Sequence, residues 1–574
     1  DMTNVQFDGK LGSAMTNAEL FALEDHITHG LDNAATGLVT VKADNVYVTE
    51  NSGSIQRGVD KVTAGDTVNV DSGTFDDALK LTKNVDIIGA GAGQTFLMPT
   101  SLLATGVTHK YTSDMQATIF VNGADDVNIS GITIDGNGLS NDALVFWNNS
   151  SGSISDAVLR NVRPFSGAQT GQGIAVDGSG GTVDLTLTNV TIQDYNKNAI
   201  DVINGNGATT GGSDITLQVN DSTFTGRGIT DTIAQNGVVL WERGGGTLNA
   251  SIDGSNFSDL GYNGGADTAA GVLVYGSPNG STTVSNSTFV NVQNYIGTAG
   301  GATNDIDATS GNTFDGVAVS TATLGQIYNI VDKIEDGLTS AGNGIVRLVA
   351  NSLFLTEANG DIANAVNVAD TGDTVNMQAG SFALGSSQLN INKSLTLTGA
   401  GEGVTNISST SAGYGISVSG NDVTLSGFTF NASGIVNNSA YGIKVSPGGV
   451  ATNRLTGFAI DNVTVDGSYK TGLDLNGVDG ATIDHVTVTN TAWGNGISLT
   501  DSANIHVSNV TTSDNEWGGL AIYQRNKQYD QQVNNITIDG VNSFGEANPV
   551  YMEDESDGTY LYGGVNGLDI GAVN

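Results

Sequence analysis

The chain has 574 residues, more than one ordinary hydrophobic core accommodates, so two or more domains are expected. Lys+Arg total 20 against 59 Asp+Glu, a formal net charge of −39. That excludes the basic stripe that nucleic acid requires and disfavours an anionic membrane surface. Cysteine is absent, which removes disulfides, thiolate catalysis and Cys-ligated metal, and no apolar run reaches membrane-spanning length. Large acidic cysteine-free chains of this kind are associated with secretion, so a secreted or cell-surface protein, bacterial in character, is expected. No signal peptide is visible at the start; either one was removed or the chain is a piece of something longer.

Glycine is abundant (80) and proline scarce (5), yet Val, Ile, Leu and Thr recur in short alternating runs. That is the pattern of many short strands separated by Gly/Asn/Asp turns. In chain order, the first element is a helix over 17–32. Leu20, Leu23, Ile27 and Leu31 have helical spacing, with Thr16 or Asn17 as N-cap and Gly30 near the end. An early strand phrase, "AGDTVNVDSGTF" (64–75), follows, with Val68 and Val70 facing a core and Asp66 and Gly73 serving turns. "GAGAG" (89–93) reads as a turn and not as a nucleotide-binding loop.

A ladder comes next. "NVTI" (189–192), "DSTF" (221–224), "GSNF" (254–257) and "NSTF" (286–289) recur about every 32 residues. "GIAV" (173–176), "NAIDV" (198–202), "NGVVL" (236–240) and "AGVLV" (270–274) sit between them. At residue 317 the chain begins again. At an offset of 307, "FDG" (7–9) matches "FDG" (314–316), and the 17–32 helix matches one over 324–338. The opening phrase matches "TGDTVNMQAGSF" (371–382). The second ladder is tighter: "NVTV", "HVTV", "NVTT" and "NITI" end at Val465, Val488, Thr512 and Ile538, 23 to 26 residues apart.

A coil of this length cannot bury its apolar face alone, but stacked coils can. The sequence resembles the pectin-lyase-like superfamily of right-handed parallel β-helices. The predicted fold is therefore all-β: two tandem β-solenoids, 1–316 and 317–574, each behind a short amphipathic capping helix. "VQFDG" (5–9) opens the chain like the end of a rung with no rung before it. It is either an edge strand of its own domain, or the sign of a longer array or of end-to-end assembly between copies.

Chemistry is sparse. The resemblance implies motifs that are missing: the Asp-Pro-His of alginate epimerases, and the "GHG" and "RIK" of polygalacturonases. The catalytic candidates are two Lys–Asp pairs, Lys197 with Asp201 and Lys470 with Asp474, with Asp177 as a second carboxylate. The alternative is exposed ion pairs. Trp147, Trp241, Tyr275, Trp493, Trp517, Tyr523 and Arg525 are the candidates for stacking on and bonding to sugars, against simple packing under loops. His485 and His506 are one rung apart but make an incomplete metal site. Glu553, Asp554 and Asp557 are weak candidates for Ca²⁺; no other cofactor is implied. Three functions stay open: a structural or adhesive solenoid that binds glycans, a carbohydrate-active enzyme (lyase, hydrolase or epimerase), and a phage-type or lectin-like receptor. The expected partners are an extracellular polysaccharide or a cell surface, and other copies of the chain, with neither nucleic acid nor membrane.

Overall fold

The computed structural model describes residues 1–109, 112–205, 212–265, 267–276, 279–448, 453–524, 534–554 and 569–570. They form two compact units: Asp1–Thr323 with Lys333–Asp336 and Gly342–Leu348, and Leu324–Asp332 with Gly337–Ala341 and Val349–Asn574. Each is built of parallel strands stacked coil on coil, the arrangement of a β-solenoid.

In the first unit one sheet is a single file of parallel strands. Leu79–Leu81, Gln116–Asn122, Ala143–Asn148, Gln172–Asp177, Asn198–Ile203, Asn236–Trp241, Ala270–Tyr275, Asn294–Ala299 and Ile334–Glu335 pair in that order. Most of the remaining strands form the sheet across the core from it, and its register carries the phrases read in the sequence. Ile192, Phe224, Phe257, Phe289 and Phe314 stand in one column. Phe257 and Phe289 stack at 4.8 Å, and Phe289 and Phe314 at 5.1 Å. Offset stacking at such spacing adds to the area that each ring buries.

The residue that opens each of these phrases has a physical explanation. Asn189, Asp221, Gly254, Asn286 and Gly311 all have φ between 49° and 68°. The coil bends there through the left-handed region, which Gly, Asn and Asp tolerate best. Inside the same bend runs a buried polar ladder. Ser222 Oγ accepts from Val190 N, Ser255 Oγ from Ser222 N, Ser287 Oγ from Ser255 N, and Asn312 Oδ1 from Ser287 N. Each bend amide is satisfied by the coil that follows it.

The second unit repeats the plan with shorter coils. Val465, Val488 and Thr512 are in register, as are Leu473, Ile497 and Leu520. "NITI" departs from the expected ladder. Ile538 pairs with Val507, and Phe544 takes the place next to Thr512, so the last coil is 31 to 32 residues long.

The capping helices are shorter than expected. α1 is Asn17–Glu24, capped by Thr16 in a box with Glu19; α2 is Ile55–Lys61; α3 is Leu324–Val331; α4 is Ile362–Val368. The helix expected to 338 stops at Val331 because Ile334–Glu335 is spent as a strand beside Asn294–Ala299. α2 and α4 are not apparent from the sequence pattern, although both are N-capped at matching places, by Ser54 and Asp361. The repeated "FDG" is a two-residue hairpin turn. Asp8 and Gly9, and again Asp315 and Gly316, have positive φ between antiparallel strands, Gln6–Phe7 with Lys10–Leu11 and Thr313–Phe314 with Val317–Ala318.

Among the described residues no helix is long and apolar enough to cross a membrane. The Phe ladder is the test of this packing. Phe289→Ala is expected to cost about 3–5 kcal/mol of stability, and Val290→Ala, on the exposed side of the same strand, less than about 0.5. Urea unfolding followed by circular dichroism measures both.

Candidate functional site

The single-file sheet of the first unit turns one face to the core and one outward. Its outward face is divided. Over the earlier strands lies the segment that carries Leu103–Ala104, paired antiparallel with Gln116–Ala117. It covers an apolar cluster of Met115, Ala117, Phe120, Ala143, Phe146 and Ala175, in which Phe120 and Phe146 stack at 5.4 Å. His109, on this segment, sits edge-on to Phe146 at 5.6 Å.

His109 is a partner of the candidate carboxylates that the sequence does not reveal. Its Nδ1 lies 3.6 Å from Asp177 Oδ2 and its Nε2 lies 3.6 Å from Asp201 Oδ2. Asp177 and Asp201 are 1% and 0% exposed. Asp201 also accepts from Gln172 Nε2 at 3.1 Å, and Asp177 from Ser179 N at 2.8 Å. Burial works against the imidazolium, but the attraction of the Asp177 and Asp201 carboxylates, each 3.6 Å away, outweighs it and raises His109 from 6.5 to about 9. No sugar ring reaches these carboxylates while the His109 segment lies across them. The exposed ion pairs expected from sequence are therefore not what the fold builds. Lys197 Nζ donates to Ala234 O at 2.8 Å. In the second unit Asp474 is buried and paired with Lys444, and Lys470 lies over the Tyr441 ring at 5.2 Å.

Over the later strands the outward face is open and forms a groove of about 360 Å³. Val239 and Leu273 floor it, Trp241 and Tyr275 wall it, and Lys197, Asn198, Asn236, Asp267, Thr268 and Glu335 supply polar groups. Trp241 and Tyr275 are register neighbours whose rings meet edge to face at 5.2 Å, with Arg243 over the indole at 4.6 Å. Asn236 Nδ2 donates to Asn198 Oδ1 at 2.9 Å, and Asn236 Oδ1 accepts from Ala270 N at 2.9 Å. This ladder fixes both amides along the groove. Trp147 is not part of it. Its register partner is Val176, one place short of Asp177, so its indole is buried in the core and donates to Ser150 O at 3.0 Å.

In the second unit Trp493 and Trp517 are 55% and 47% exposed on neighbouring coils. Tyr523 is buried, and its hydroxyl accepts from Asn495 Nδ2 at 3.0 Å. Arg525 and Asp557 lie outside the described residues, as does the side chain of Asp554; Glu553 accepts from the Tyr551 hydroxyl at 3.1 Å. His485 and His506 are not paired: His506 is in register with Thr482 and bonds Asp539, whereas His485 occupies a bend at φ 49°. His485 lies 3.0 Å from Asp484 and 3.6 Å from Asp461, a grouping with metal-like spacing that no single stretch of sequence displays. Burial pushes the Asp484 carboxyl up, but hydrogen bonds from Ser508 and Asn509 and the nearby His485 hold it below the usual range.

No protein-family model matches the chain. No curated protein matches it either. Several solved structures align with most of it. One is a PL6-family alginate lyase, 13% identical over 92% of this chain and 100% of the lyase, with a TM-score of 0.24. Another is the catalytic domain of a GH87 α-1,3-glucanase with nigerose, 12% identical over 86% of this chain and 70% of that one, with a TM-score of 0.29. A third is the A-module of the Azotobacter vinelandii mannuronan C-5 epimerase, 11% identical over 90% and 94%, with a TM-score of 0.18. At such identities and scores these likenesses assign no activity.

The buried His109 cluster has a pH signature. A histidine raised in the folded state adds stability that is fully present below its unfolded value of 6.5 and is lost as pH rises through about 9. The loss is expected to total about 3 kcal/mol, because each tenfold gain in proton affinity is worth about 1.4 kcal/mol. Urea midpoints at pH 6 to 10 measure it. His109→Leu should be less stable than the native chain at pH 6 and flat across this window.

Proposed function

We propose that the chain is a glycan-binding β-solenoid whose ligand lies in the outward groove of the first unit, against Trp241 and Tyr275. The observation that carries this reading is the groove itself. Two aromatic rings are held by adjacent strands over an apolar floor, beside amides fixed in a ladder. Rings of this kind take the C–H faces of sugars, and the polar side chains along the groove, Asp267, Thr268 and Glu335 among them, can bond hydroxyls. Charge selects the sugar class. A chain of net charge −39 repels polyuronates at long range, so neutral glycans are the preferred ligands. Trp493 and Trp517 offer the second unit a further exposed aromatic surface. An acidic, repetitive chain of this kind suits a secreted or cell-surface adhesive role.

A catalytic reading has one observation in its favour: a protonated histidine between two carboxylates beside the groove. A lyase, hydrolase or epimerase would have to expose that cluster first. Turnover on a glycan panel, abolished by Asp201→Asn, would establish it in place of simple binding.

Binding is tested with immobilised neutral oligosaccharides (glucans, mannans, xylans) beside alginate and pectate. The neutral set is expected to bind better at low salt. Trp241→Ala and Tyr275→Ala are each expected to weaken binding about tenfold or more without changing the urea midpoint. Undiminished binding by both variants would contradict the proposal.

A further inference from the structure

The open groove takes up only part of the outward face on which it lies. One column of that face runs in register through Phe120, Phe146, Ala175, Asp201, Val239 and Leu273. Of these only Asp201 is polar. Val239 and Leu273 floor the groove. Phe120, Phe146 and Ala175 continue the same apolar surface on the other side of Asp201, yet they are 2%, 0% and 0% exposed. Strands lie about 4.8 Å apart, so the covered part, from Gln116–Asn122 to Gln172–Asp177, lengthens the face by roughly 10 Å.

What covers it is not a neighbouring coil. Residues 103–109 and 112–115 form two antiparallel arms, in which Thr105 N donates to Met115 O and Met115 N to Val107 O. The arms meet the sheet's backbone only by the short pairing of Leu103–Ala104 with Gln116–Ala117, off the single file of parallel strands. Leu103 and Val107 rest on the apolar cluster. His109, at the far end, lies 3.6 Å from each of Asp177 and Asp201, and neither of its ring nitrogens has a hydrogen-bond partner among the described residues. A coil is held by a full ladder of backbone bonds; these arms are held by a two-residue pairing, a few apolar side chains and one histidine.

We propose that the glycan site is longer than the open groove. The arms form a strap that lies in its other half, and a neutral glycan long enough to run the length of the face displaces the strap and takes the Phe120–Phe146–Ala175 surface in its place. This rests on the reading of the groove as a glycan site. The energetics suit an exchange of covers. Opening returns His109 and both carboxylates to water, which offsets most of their lost attraction. The apolar surface then bared is what the sugar faces cover. Asp177 and Asp201 keep their places when the strap leaves, because Ser179 N and Gln172 Nε2, which bond them, belong to the coils and not to the strap. They then stand at the middle of the lengthened site as acceptors for sugar hydroxyls.

The test uses disaccharides and octasaccharides of the glucan, mannan and xylan series, with calorimetry for affinity and hydrogen exchange for the strap. In the native chain an octasaccharide that binds is expected to speed exchange across 103–109 and 112–115, and a disaccharide to leave it unchanged. His109→Asp sets a third carboxylate against Asp177 and Asp201. It is expected to speed the same amides without ligand, to tighten octasaccharide binding about tenfold by removing the cost of opening, and to leave disaccharide binding unchanged. Circular dichroism shows whether this variant folds; if it does not, the native chain decides alone. An octasaccharide that binds the native chain and leaves strap exchange unchanged or slower overturns the proposal. So does an opened His109→Asp strap that brings no gain in octasaccharide affinity. Disaccharide binding in the groove survives either result, whereas failure of every probe to bind defeats the glycan reading itself and this proposal with it.

Discussion

A coil of some 25 to 32 residues has an apolar side and nothing of its own to lay against it. In this chain the covering comes from the next coil, through parallel backbone pairing that holds like residues over like. Everything else follows from that repetition. Phenylalanines stack because the column places them 4.8 to 5.1 Å apart. Serines satisfy the bend amide of the coil before them. Asn, Asp and Gly alternate at one bend because every coil turns there through the same left-handed conformation. Stability is then a sum of nearest-neighbour terms, and the costly places are the ends, where a coil has a neighbour on one side only.

The same constraint frees the outward face. Core positions are dictated by stacking, but what stands outside is limited only by loop length. In the first unit the longer coils use that freedom in two ways. One segment folds back over the earlier strands and buries a histidine between two carboxylates, which hides Asp177 and Asp201 from anything in the groove. Over the later strands the described residues leave a groove in which the rings of Trp241 and Tyr275 are accessible, with the Asn198–Asn236 amide ladder buried along it.

The fold was legible in the sequence because its signal is repeated: a bend residue, a phrase of three, and an alternating strand recur until chance is excluded. The duplication was legible for the same reason. The helix ends were not, since the strand at Ile334 is chosen by a pairing with Ile296 that no local pattern announces. The site was half legible. Trp241 and Tyr275 could be aligned by counting along the strands, and the same count slipped by one place at Trp147, whose neighbours in register show it facing the core. The His109 contacts could not be read, because a non-repeating segment brings that residue to Asp177 and Asp201 from 68 and 92 positions away. Lys470 and Asp474 misled for the opposite reason: a spacing of four repeats the Lys197–Asp201 phrase, while the actual partner, Lys444, comes from the previous coil.

The most direct test of the central claim is hydrogen exchange measured with and without a saturating neutral oligosaccharide. Recognition in the groove predicts slowed exchange confined to Asn198–Ile203, Asn236–Trp241 and Ala270–Tyr275 and the segments beside them. Protection that falls elsewhere on the chain, or no change anywhere with a glycan shown to bind, would contradict the account.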